Sequence, residues 1–294
     1  MTDAPPPTWR ALQTEAVDGL RAGGVESPES EARRMVEEAS GCSGAELVVA
    51  LDEVAVERAA TRLRSMIQRR TAGEPLQYVL GSWGFRHLDL MVDRRVLIPR
   101  PETESVVDAV LAEIDRIASD RQPVTVADLG TGSGAIALSV AAERTCTEVW
   151  ATDVSEDALV VARGNLAGLG RAAARVRMSA GSWFEALPST LRGELDVVVS
   201  NPPYVDPAAR LPDEVHDWEP HVALYSVTAG AADLHRIIAE SPDWLRSDGA
   251  LVCEHSPEQS TDLRARASER FAEVEIRADL TGRDRALIAR RPLR

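Results

Sequence analysis

From Val124 onward, short apolar runs of strand length alternate with helix-periodic segments, and few folds accept that alternation. The strand-like runs are Val124 to Leu129, Glu148 to Thr152, Ala174 to Met178, Asp196 to Ser200, Ala250 to Glu254, Ala272 to Ile276 and Arg285 to Ala289. Helical patterns fill the gaps, as in Ala135 to Glu143, Glu156 to Leu166 and Ala231 to Trp244. Parallel strands need long crossovers, and helices supply them while covering both faces of the sheet. The pattern therefore predicts an α/β fold with a mostly parallel sheet.

Two connections in this region carry unusual residues. The first strand, ending in Asp128 and Leu129, runs into Gly130-Thr131-Gly132-Ser133-Gly134 and then into an apolar helix. Glycines at such a place allow a tight turn and let backbone approach a ligand, as in loops that hold adenosine-bearing cofactors. Nicotinamide and flavin enzymes use related loops, and a plain strand-to-helix turn is the structural alternative. Asp153 closes the second strand, where its carboxylate can accept from both ribose hydroxyls; helix capping is the competing role, for which Ser155 is available. Trp183, just past the third strand, is placed to pack against an adenine face or to fill core.

The second connection is Asn201-Pro202-Pro203-Tyr204, at the end of the fourth run. An amide or aromatic amine nitrogen is a poor nucleophile because its lone pair is delocalised. The Asn201 side-chain carbonyl and the Pro202 backbone carbonyl can accept both N–H bonds of a planar NH2 group, so that the lone pair points at an incoming methyl. Proline fixes the backbone, and Tyr204 offers a flat face for stacking. An ordinary Asn-Pro turn is the alternative. Read with the glycine loop, the tetrapeptide predicts an N-methyltransferase that uses S-adenosylmethionine and needs no strong base.

Residues 1–72 read as a helical module. Thr8 can cap a helix carrying Trp9, Leu12, Ala16 and Leu20, which stops at Gly23-Gly24. Ser27-Pro28 opens a second, Ser43 and Glu46 have capping-box spacing for a short third, and a fourth runs from about Val54 to Arg70. Short amphipathic helices need each other's apolar faces, so a small bundle is predicted. Arg58, Arg62 and Arg69 fall near one face of the fourth helix, which is either a solvated face or a surface for an acidic partner. Glycine punctuation and alternating Leu88, Leu90 and Val92 predict a hairpin linker over 73–98, with the catalytic domain spanning 99–294.

Composition removes other classes. The formal charge of −14 argues against broad capture of nucleic acid, which depends on basic side chains displacing counterions. All 33 basic residues are arginine. No apolar run is long enough to cross a bilayer, and the N-terminus lacks a secretory pattern, so a cytoplasmic protein without membrane association is expected. Cys42, Cys146 and Cys253 form no Cys-x-x-Cys pair and His216 and His221 have no ligand spacing, so free thiols and no metal are expected.

Gln77-Tyr78 with Gly81, Leu97 to Glu104, Asp128 to Gly134, Asn201 to Tyr204, Glu219-Pro220 with Ala223-Leu224, and Asp279 to Arg285 together resemble the bacterial release factor N5-glutamine methyltransferases. The resemblance covers essentially the whole chain. It implies a Rossmann-like class I methyltransferase domain with a seven-stranded sheet behind a helical domain that helps grip the substrate. The implied reaction methylates the glutamine amide in the Gly-Gly-Gln motif of class 1 peptide chain release factors, in a monomer. By the same resemblance, Gly130, Thr131, Gly132, Ser133 and Gly134 would line the cofactor's methionine portion, Asp153 its ribose and Trp183 its adenine region, with Asp128 also a cofactor-binding residue. Asn201, bordering both ligands, would receive the glutamine with Pro202, Pro203 and Tyr204. Arg100, Glu102 and Thr103 either shape the cofactor mouth or simply start a helix. The chain departs from its relatives at Ser182, where they commonly carry Asp, so an acidic contact to the adenine amino group is not expected. Competing readings are a nucleic-acid base N-methyltransferase, a nicotinamide-dependent oxidoreductase and a catalytically silent binding protein. A recognition domain or basic groove, a proton donor near the nicotinamide, or a broken site would mark each in turn.

Overall fold

A computed structural model describes residues 6–293. The chain divides into two compact units, Met1–Gly81 with Pro212–Trp218, and Ser82–Leu211 with Glu219–Arg294.

The first unit is built from α1 (Trp9–Ala22), α2 (Pro28–Ser40), α3 (Gly44–Ala50), α4 (Glu57–Thr71) and α5 (Leu76–Leu80). Thr8 caps α1 as expected, its hydroxyl accepting from the Ala11 N–H at 3.3 Å. Ser27 makes no side-chain cap, and Pro28 alone starts α2. The capping box expected from Ser43 and Glu46 does not form. Helix α4 begins at Glu57 rather than Val54, because Val54 pairs with Thr8 in an isolated bridge and Ala55 N–H donates to the Pro7 carbonyl. One apolar cluster joins the helices: Leu12, Leu20, Met35, Leu47, Leu63 and Leu76 are among its buried side chains. Each such leucine contributes about 1.5–3 kcal/mol by leaving water. Arg62 pairs with Glu38, and Arg69 binds Glu74 and the carbonyls of Tyr78 and Val79, so these two arginines serve the unit's own structure.

The second unit opens with an antiparallel hairpin, β1 (Ser82–Phe85) and β2 (Leu88–Met91), followed by α6 (Thr103–Ala118). Strands and helices then alternate: β3 (Val124–Leu129), α7 (Ala135–Glu143), β4 (Thr147–Asp153), α8 (Glu156–Ala167), β5 (Val176–Ala180) and β6 (Leu195–Ser200). After β6 the chain passes through α9 (Asp213–His216), which belongs to the first unit, and returns through α10 (Val227–Gly230) and α11 (Ala232–Trp244). It ends with β7 (Leu245–Glu254), α12 (Ser260–Ser268), β8 (Phe271–Ala278) and β9 (Asp284–Pro292).

The expected seven-stranded sheet is present, in the order β5-β4-β3-β6-β7-β9-β8, with only β9 antiparallel to its neighbours. Alternation along the strands divides the core. Val126, Val199 and Ile288 face α6 and α7, whereas Leu129, Val198 and Leu287 face α11 and α12. The chain runs outward from β3 to β5 and then crosses to β6 on the other side of β3. That reversal opens a crevice at the carboxyl ends of β3 and β6, the usual ligand position in such sheets. Register brings Leu129 beside both Thr152 and Ser200, so the residues that follow each strand start side by side.

Candidate active site

The loop after β3 is folded by its glycines. Gly130, Gly132 and Gly134 have φ of 76°, 57° and 88°, a region costly for residues with a Cβ. The Gly130 and Thr131 N–H groups both donate to the Thr152 carbonyl at 2.8 Å, locking the turn to β4. A Cβ at Gly130 would lie 3.3 Å from the Trp183 ring, so the absent side chain leaves room for that indole.

Asp128 lies beneath this loop. Its Oδ2 accepts from the Thr131 hydroxyl at 2.6 Å and the Ala137 N–H at 3.1 Å, tying the strand to the loop and to α7. Burial pushes its carboxyl up to about 7, against those hydrogen bonds. Asp153 is turned toward the loop, with Oδ2 accepting from Gly132 N–H at 2.8 Å and Oδ1 from Ser155 N–H at 2.9 Å. Ser155 caps α8, accepting from Ala158 N–H at 3.2 Å, as the sequence suggested. Burial raises the Asp153 carboxyl and its backbone donors oppose the rise.

On β6, Ser200 donates to the Leu129 carbonyl at 2.6 Å and so fixes the start of the proline-rich turn against the glycine loop. Asn201 Nδ2 donates to the Thr103 hydroxyl oxygen at 3.3 Å. Pro202 is buried, and the Tyr204 hydroxyl donates to Glu254 at 3.1 Å. Burial, followed by the nearby Glu254 charge, raises the Tyr204 hydroxyl. Gly230 packs so closely that a Cβ there would meet the Tyr204 carbonyl at 2.1 Å. Val205 pairs with Tyr225 in an isolated bridge.

Between the two turns lies a cavity of about 380 Å³, a size suited to one small ligand. Of the residues singled out in the sequence, Arg100, Thr103, Gly130, Thr131, Gly132, Ser133, Asp153, Trp183, Asn201 and Pro203 line it. Asp128, Gly134, Glu102, Pro202 and Tyr204 do not; they sit behind or beside the wall. Sequence reasoning passed over Arg236 and Asp233, which also line the cavity. Arg236 donates to the Ser182 hydroxyl at 3.1 Å and pairs with Glu185 and Glu240. Its place in a helical pattern gave no signal beyond a charged residue. Glu219 was legible only through resemblance; it is buried and holds Arg100 at 2.5 Å and the Ile98 N–H at 3.1 Å. Among the described residues no His, Cys, Asp and Glu cluster is suited to a metal, and no helix is long and apolar enough to cross a membrane.

The chain is also similar to known proteins over most of its length. Residues 11–81 match a family model described as the PrmC N-terminal domain, and 110–217 match one described as a methyltransferase small domain. A protein named release factor glutamine methyltransferase from Moorella thermoacetica is 40% identical over 97% of this chain and 99% of its own. One of the same name from Burkholderia pseudomallei is 39% identical over 97% and 99%. Among solved structures, the hMettl16 catalytic domain in complex with MAT2A 3'UTR hairpin 1 has a TM-score of 0.53 at 14% identity, covering 97% of this chain and 92% of that one. This last likeness concerns the fold alone.

Proposed function

This chain belongs to the release factor glutamine methyltransferase family, and from that premise we propose that it transfers a methyl group from S-adenosylmethionine to the side-chain amide of the glutamine in the Gly-Gly-Gln motif of class 1 peptide chain release factors. The observation that carries this reading is the adjacency of two turns: the glycine loop after β3 and Asn201 after β6 line one cavity at the sheet's crossover point.

The residues fit the cofactor. Gly130 and Gly132 leave open a cradle that side chains would narrow, and Trp183 flanks it with an aromatic face suited to adenine. Each Asp153 oxygen accepts one backbone N–H and keeps a lone pair for a ribose hydroxyl. Bound there, S-adenosylmethionine would supply a methyl carbon made electrophilic by its sulfonium.

The chain's own task is to orient a weak nucleophile. With Nδ2 engaged by Thr103, Asn201 has Oδ1 left to accept one N–H of the substrate NH2. Pro202, expected to supply the second acceptor, does not line the cavity, so Asn201 Oδ1 carries the orientation. Held this way, the amide nitrogen would present its lone pair to the methyl; proximity stands in place of a strong base, and the proton that the methylated nitrogen must lose would pass to solvent as the neutral thioether product leaves. Tyr204, held by Glu254, stiffens the turn, while Pro203 borders the cavity. The proposed setting is the cytoplasm, acting on a protein substrate as a monomer.

Labelled methyl transfer tests the reading. Label is expected in purified release factor and not in DNA or ribosomal RNA. Label in nucleic acid with none in the release factor would favour a base methyltransferase and overturn the proposal.

A further inference from the structure

Glu254 ends β7 beside Asn201, because Cys253 pairs with Ser200 across the two strands. It is 1% exposed, and only one of its carboxylate oxygens is satisfied: Oε1 accepts from the Tyr204 hydroxyl at 3.1 Å, while Oε2 is buried without a hydrogen-bond partner. Burial raises the Glu254 carboxyl, and hydrogen bonding from the hydroxyls of Thr103 and Tyr204 opposes that rise. Thr103 is itself buried at the first turn of α6, and its oxygen accepts from Asn201 Nδ2 at 3.3 Å. A buried acceptor left unpaired is unfavourable enough to draw in a neighbouring hydroxyl proton.

We infer that Glu254 and Thr103 act together to set which end of the Asn201 amide faces the cavity. With its proton turned toward Glu254, the Thr103 oxygen can only accept. Asn201 must then give its NH2 to Thr103 and present Oδ1 to the substrate. The reversed amide would place a donor where the substrate's own NH2 needs an acceptor. An asparagine side chain has no intrinsic preference between these orientations, so the surrounding proton arrangement decides. Glu254 does not line the cavity and acts through Thr103, which makes it a positioning residue. The inference rests on the amide-methylation reading above.

The test compares Thr103→Val, Thr103→Ser and Glu254→Gln with the unaltered enzyme, measuring release factor methylation, S-adenosylhomocysteine affinity by calorimetry, and thermal unfolding. Valine keeps the shape of threonine and removes the hydroxyl; serine keeps the hydroxyl. Thr103→Val and Glu254→Gln are expected to lower kcat by about tenfold or more, with KM for the release factor and cofactor-product affinity within about threefold. Thr103→Ser is expected to recover kcat to within about threefold of the unaltered enzyme. Full turnover by Thr103→Val, failure of serine to rescue, or a loss that follows product affinity instead of kcat would overturn the inference. An unaltered enzyme that binds S-adenosylhomocysteine but methylates no release factor would instead overturn the proposed function, and the inference with it.

Discussion

Asn201 engages Thr103 through Nδ2, which leaves Oδ1 for the proposed contact to a substrate amide. Asn201→Ala removes that acceptor while leaving the glycine loop intact. Its kcat is expected to fall by about a hundredfold, with S-adenosylhomocysteine affinity within about threefold; calorimetry beside steady-state rates separates the two. Gly130 has the opposite profile. Its φ of 76° and the 3.3 Å approach of Trp183 make Gly130→Ala strained, and product affinity is expected to drop about tenfold or more by calorimetry. Asp128 gives a pH test. Its folded value of about 7 lies above its ordinary 3.8, so its ionisation disfavours the folded state. That penalty is absent below the ordinary value, grows as pH rises between the two, and is complete above the folded one. Relative to Asp128→Asn, which cannot ionise, the unaltered protein is expected to gain stability as pH falls from 7 toward 4, by at most about 1.4 kcal/mol per pH unit in urea unfolding. A flat difference would contradict the buried titration. At this scale the glycines, Asp153 and Asn201 were legible because their chemistry is local to a few consecutive residues. Glu254 and Arg236 acquire meaning only from side chains that folding brings to them, which no spacing announces.

Strand β3 and helix α7 have the ends expected from their patterns, since a strand and helix joined by a tight glycine turn leave little freedom. Strand β7 starts at Leu245, earlier than its apolar run, because Leu245 pairs with Leu195 and the register shifts before the run begins. Strand β5 starts later than expected, because Gly170–Arg175 winds into a 3-10 turn. One link between elements was invisible in the sequence. Asn165 on α8 accepts from the Met91 N–H at 2.7 Å and donates to the Met91 carbonyl at 3.1 Å, fastening β2; it also donates to the Ser133 carbonyl at 2.8 Å in the glycine loop. Asn165→Ala is expected to lower unfolding free energy by about 1–3 kcal/mol and to weaken product binding as the loop loosens. Urea unfolding and calorimetry measure the two. Unchanged product affinity would show that the loop is held without this clasp.

For the whole molecule, alternation of strand and helix was enough to read the sheet, and punctuation marked the helices between Trp9 and Thr71, whereas α5 falls where a hairpin linker from residue 73 was expected and the first unit runs on to Gly81. The return of Pro212–Trp218 to that first unit was not legible, because a short segment inside one domain's sequence carries no mark of the unit it joins. The net charge of −14 gives a further expectation at this scale. Duplex DNA and ribosomal RNA should bind no tighter than about 10⁻⁴ M at physiological salt, which filter binding checks. The central claim is that this fold aims a carboxamide nitrogen at a methyl donor. Mass spectrometry of the release factor peptide containing the Gly-Gly-Gln glutamine, after incubation with enzyme and S-adenosylmethionine, tests it most directly. One added methyl on that side-chain nitrogen, absent with Asn201→Ala, is the expected result; an unmodified glutamine, or a methyl on any other atom, would contradict it.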